Sequence, residues 1–145
     1  MLFTHHSTVL TTHTKTAKLE ETFDIAKGII TFVSVLFPAG CHNLVHFTLY
    51  HREHPIFPSI EGQSIVANAA TVEWSEYYEV YQPPFKLKVK AWGDSLSYQH
   101  QLTVRIAVLP RKAVSQFAVA DSIGKALDSM RQPREIVVPK EQTSA

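Results

Sequence analysis

The chain reads as all-β, a two-layer sandwich, on three observations. Two long segments alternate apolar and polar residues with period two: Phe85, Leu87, Val89 and Ala91 against Lys86, Lys88 and Lys90, then Tyr98, Leu102, Val104, Ile106 and Val108. Six to eight such segments are predicted, separated by Gly, Pro and Asn signals at short spacing. Helical periodicity is confined to residues beyond Pro110. A single sheet with one apolar face must bury it against another, so the segments are expected to form a β-sandwich or jelly roll.

The elements follow in order. Residues 4 to 16 are nearly all Thr, His and Ser, with Lys15 the only Lys or Arg, and residues 1–16 are predicted as an extended N-terminal arm. Such an arm either frays or orders against a neighbouring subunit. Ala17, Leu19, Glu21, Phe23 and Ile25 alternate with Lys18, Glu20, Thr22 and Asp24 as a first core strand. Ile29 to Phe37 is apolar on both parities, the pattern of a central strand covered on both faces. Asn43 to His51 is a strand with Val45, Phe47 and Leu49 on one face. His54 to Asn68 carries three loop signals, and Thr71 to Tyr81 is a further strand. Gln82-Pro83-Pro84 interrupts pairing because proline cannot donate to a ladder. The two segments around Gly93-Asp94 are expected to pair as a hairpin.

After Pro110, Val119, Ile123, Leu127 and Met130 fall on one stripe of a helix that Pro133 ends. Ile136, Val137 and Val138 follow as a short extended tail. The predicted organisation is therefore an arm at 1–16, a sandwich at 17–112 and a helix with tail at 113–145. The stripe and tail, with Phe57 and Ile60 in the end loop, are the candidate interface residues. The alternative for the stripe is packing on its own sandwich.

Bulk properties narrow the function classes. At 145 residues the chain suits one domain with a real core. A formal net charge of +1 gives no global field toward nucleic acid or an anionic membrane. One cysteine, Cys41, excludes an intramolecular disulfide, and the N-terminus lacks a secretory pattern, so an intracellular origin is expected. The longest apolar run is too short to span a bilayer as a helix.

Catalytic patterns are weak. His42, His46, His51 and His54 cluster in sequence, but His46 and His51 have opposite parity and face opposite sides of one strand. His51, Glu53 and His54 converging in the loop would be the remaining metal set. His100 reads as a satisfied core histidine, and Cys41 as a packing residue. No Gly-x-Ser-x-Gly elbow or phosphate loop is present among five glycines. Glu73 and Glu79 are expected to pair with Lys86, Lys88 and Lys90 across strands. The lysine row beside Trp92 would otherwise suit phosphates with a stacking group. No catalytic, cofactor-binding or metal residue is predicted.

The stretch Ile29 to Pro110 resembles small β-proteins among the structural proteins of tailed bacteriophages and related viruses. The similar segments are Ile30 to Pro38 with Gly40-Cys41, Leu44-Val45-His46, His54 to Ser59, Pro83-Pro84-Phe85, Ala91-Trp92, and Tyr98 through Pro110. The loop after Ser59 departs from the pattern, with Ile60-Glu61-Gly62-Gln63 in place of an Asn/Asp-Gly-rich turn. The resemblance implies a single jelly roll in a non-enzymatic virion protein, produced in the host cytoplasm, that decorates or cements a capsid or joins a tail. The expected partners are further copies of itself as a homo-oligomer and another capsid or tail protein, while the near-zero net charge and short apolar runs predict neither a membrane nor a nucleic-acid partner. The alternatives are a carbohydrate- or ligand-binding sandwich using Trp74, Tyr77, Tyr78 or Trp92, and a cupin-like metal enzyme using the histidine cluster.

Overall fold

A computed structural model describes residues 1–114. Eight strands form in chain order: β1 (Leu2–Val9), β2 (Leu19–Asp24), β3 (Gly28–Phe37), β4 (Val45–His51), β5 (His54–Phe57), β6 (Ala70–Val80), β7 (Lys86–Gly93) and β8 (His100–Leu109). They make two four-stranded sheets, ordered β1-β8-β3-β6 and β2-β7-β4-β5. Every neighbouring pair is antiparallel. The pairings β1 with β8, β2 with β7, β3 with β6 and β4 with β5 set the first half of the chain against the second. Every connection except β4–β5 crosses between the sheets. The chain is a β-sandwich.

Alternation builds the core between the layers. Val33, Val35, Phe37, Leu102, Val104 and Ile106 of the first sheet are buried, as are Phe47, Leu49, Leu87 and Val89 of the second. Each such side chain contributes about 1.5–3 kcal/mol of transfer free energy.

Three expectations are corrected. Residues 2–9 are not an arm: β1 pairs with β8 from Leu2↔Ala107 to Val9↔His100, and Ser7 and Val9 are fully buried. Threonine and histidine suit an edge strand, and Phe3, His5, Ser7 and Val9 alternate inward. His5 stacks on Phe23 at 4.7 Å, its Nε2 lies 3.3 Å from Glu21, and the edges of the two sheets are tied there. Only the loop from residue 10 to 18 remains irregular, with Thr14 and Ala17 bonded to each other.

The hairpin is also not formed. β7 and β8 lie in different sheets, because the connection of residues 94 to 99 crosses the sandwich and the Asp94 N–H bonds to the Leu44 carbonyl. Alternation reports one buried face, which either sheet satisfies.

β3 is a central strand, but its two-parity apolar pattern has a local cause. A bulge between Ile30 and Phe32 shifts the register, so Ile30 and Val33 both enter the core while Leu36 is 40% exposed.

Met1–Pro110 forms one compact unit. Residues 111–114 are helical. The predicted stripe Val119, Ile123, Leu127 and Met130 and the tail Ile136, Val137 and Val138 lie outside the described residues.

Candidate functional site

The histidine cluster separates as its parity requires. His51, on the inner face at the end of β4, is buried; its Nε2–H donates to the Pro84 carbonyl at 3.3 Å and its Nδ1 accepts the Tyr78 hydroxyl at 2.9 Å. Burial pushes its pKa down from the ordinary imidazole range, assisted by Arg52 and His54. His100 is buried beside Tyr98 at 4.6 Å, its pKa lowered by burial and then by His42. Among the described residues, no three His, Cys, Asp or Glu side chains converge as a metal site.

Both buried imidazoles stay neutral in the folded protein at pH values where the unfolded chain takes up protons, below about pH 6.5. The unfolded state then binds more protons, and stability falls as pH falls. The melting temperature is expected to drop on acidification from pH 7.5 to 5.5, and less steeply in His51→Asn. An equal slope in that variant would remove His51 as a source of the pH dependence.

The outer face of the second sheet carries the charge. Register opposes Glu20 to Lys90, Thr22 to Lys88 and Asp24 to Lys86. Lys86 lies 3.7 Å from Asp24, Lys88 3.5 Å from Glu53, and Lys90 3.7 Å from Glu20. The expected pairing with Glu73 and Glu79 is not made, because β6 belongs to the other sheet. Lys90 also lies 4.5 Å over the Tyr50 ring. A cleft of about 150 Å³ opens here among Thr22, Arg52, Glu53, Pro84, Lys86 and Lys88. Arg52 bonds to the Pro83 carbonyl, so each cation of the cleft already has an oxygen partner.

The aromatic residues do not make a shared platform. Trp74 packs against the core, Tyr78 serves His51, and Trp92 is 5% exposed. Lys18 covers Trp92 from 4.4 Å, and His46 stacks on it at 4.9 Å with the rings 1° from parallel. Tyr77 is exposed on β6, its hydroxyl 3.1 Å from Glu79. Cys41 is fully buried, and burial pushes its thiol up, as a packing residue requires.

Of the predicted interface residues, Phe57 is placed elsewhere. It is fully buried on β5, edge-on to Phe47 at 6.2 Å and packed on Trp74. Its apolar bulk fills the core end under the loop. Ile60 is 59% exposed at the loop tip and remains available to a partner.

The structure also assembles a group that spacing did not reveal. His46 on the outward face of β4 is bonded at both ring nitrogens: Nδ1 lies 2.7 Å from Ser64 Oγ, and Nε2 lies 2.6 Å from Asp94 Oδ2. A carboxylate only accepts, so Nε2 carries the hydrogen and Nδ1 accepts from the serine hydroxyl. Phe47 and Ile65 exchange two backbone hydrogen bonds of 2.9 Å each, one residue from His46 and from Ser64. Asp94 N–H to Leu44 O at 2.9 Å fixes the third member. Ser64 is 18 residues from His46 and Asp94 is 48, so no linear signal marks the set.

No family model matches the chain, and neither a curated protein nor a solved structure matches it.

Proposed function

We propose that this chain is a jelly-roll structural protein of a virus particle, assembling as a homo-oligomer and serving as a capsid decoration or cement protein or as a tail component. The observation that carries the reading is the winding: eight strands in the orders β1-β8-β3-β6 and β2-β7-β4-β5. These orders support a jelly roll, an architecture used in viral capsid proteins, lectins and cupins. The carbohydrate- or ligand-binding alternative is less favoured, since Trp74 packs on the core, Tyr78 bonds His51, Trp92 lies under Lys18 and His46 on the outer face, and Tyr77 alone of its four aromatics is exposed. The cupin reading loses its ligand pair, since His46 and His51 face opposite sides of β4. A rigid body with appended apolar elements suits assembly, because such elements add interface without enlarging the core.

The segment beyond Pro110, with its stripe of Val119, Ile123, Leu127 and Met130 and tail of Ile136, Val137 and Val138, supplies the contacts between copies. Ile60 at the exposed loop tip serves a second partner, another virion protein. Ile123→Asp together with Leu127→Asp is expected to reduce the oligomer to a monomer in sedimentation velocity while the sandwich melts unchanged. An oligomer that survives both charges would remove the stripe as the assembly contact.

A further inference from the structure

Hydroxyl, imidazole and carboxylate in hydrogen-bonded series are the parts of an activated serine: a nucleophile, a base that takes its proton, and an acid that orients the base. Ser64, His46 and Asp94 meet this order at 2.7 Å and 2.6 Å. The ring uses Nδ1 toward the serine and Nε2 toward the acid, and either nitrogen serves as the base. Trp92 stacked on His46 holds the ring plane. The backbone bonds of Phe47 with Ile65 and of Asp94 with Leu44 fix all three carriers before any ligand arrives. The set faces solvent, with the Asp94 and His46 side chains 55% and 22% exposed, so a reactant reaches it from outside.

We propose that Ser64 is an acylatable nucleophile and that Ser64, His46 and Asp94 cleave short-chain carboxylic esters, acetyl esters first, independently of the assembly role. Ser64 Oγ bonds to the carbonyl carbon, the carbonyl π pair moves to its oxygen, and the serine proton passes to His46 Nδ1. Collapse of the tetrahedral adduct breaks the bond to the leaving alcohol, which takes that proton. Water then attacks the acyl-serine, giving one proton to Nδ1. Release of the carboxylic acid returns the proton to Ser64. Asp94 acts as a positioning residue: it holds Nε2–H and stabilises the imidazolium. An acetyl group is a small acyl unit and needs little enclosure at a surface site. The readout is acylation of Ser64 itself, because the acetyl group marks the nucleophile whatever the rate of the hydrolysis that follows.

The test uses the full chain with p-nitrophenyl acetate, following nitrophenolate release and locating acetyl groups by peptide mass mapping. The expected result is one acetyl on Ser64, absent in Ser64→Ala. Acylation falls by about 100-fold or more in His46→Gln. Asp94→Asn alters the pH profile of Ser64 acylation at an unchanged melting temperature, and Asp94→Glu restores part of the rate. Acetyl groups confined to lysines or the N-terminus of the wild-type protein would overturn the proposal. So would Ser64 acetylation that is unchanged in a folded His46→Gln protein.

Discussion

Deletion of residues 1–9 is expected to unfold the sandwich. β1 pairs along its full length with β8, and its removal exposes the β8 edge and the side of a core containing Leu102, Val104 and Ile106. Burial of Val9 alone contributes about 1.5–3 kcal/mol, and Phe3 packs against the same core from the other end of the strand. The His5–Phe23 stack that joins the sheet edges is lost as well. Together these losses are comparable with the whole stability of a small domain, about 5–15 kcal/mol. Circular dichroism of the shortened chain should show a lost or strongly lowered melting transition. A melt like that of the full chain would mean that the segment is a dispensable arm.

Phe57→Ala should be the most damaging single truncation at the loop end, costing about 3–5 kcal/mol. The ring is fully buried between Phe47 and Trp74, where the β5 end meets the opposite sheet, so its removal leaves a void that neighbours on two layers cannot both fill. Ile60→Ala, three residues along at an exposed tip, should shift stability by less than about 0.5 kcal/mol. Urea denaturation midpoints of the two variants separate the roles. Comparable midpoints would place Phe57 at the surface.

The layered, all-β character was legible because period-two alternation survives in nearly every strand. Pairing was not. Residues Lys86–Gly93 and His100–Leu109 each declare a buried face, yet that face looks the same whether the neighbour in sequence is beside it or across the core. The same limit misassigned the partners of Lys86, Lys88 and Lys90. They meet Asp24, Glu53 and Glu20 because β2 lies beside β7 and the β4–β5 turn comes close to Lys88. In β1, threonine and histidine hid a strand: its inward positions hold His5 and Ser7, which carry little apolar signal. The Ile29 to Phe37 run looked two-sided because the bulge before Phe32 changes the phase of the pattern.

The candidate chemistry shows the same division. Opposed parity of His46 and His51 could be read from five residues of sequence. The meeting of His46 with Ser64 and Asp94 depends on a loop folding back on β4 and on the end of β7, contacts that only the long-range winding creates.

Assembly through the segment beyond Pro110 is tested most directly by absolute mass in solution. Light scattering should compare the full chain with a chain of residues 1–110, which keeps all eight strands. The expected result is a defined oligomer for the full chain and a folded monomer for the shorter one. Monomers in both cases at high concentration, or the same oligomer in both, would contradict the account.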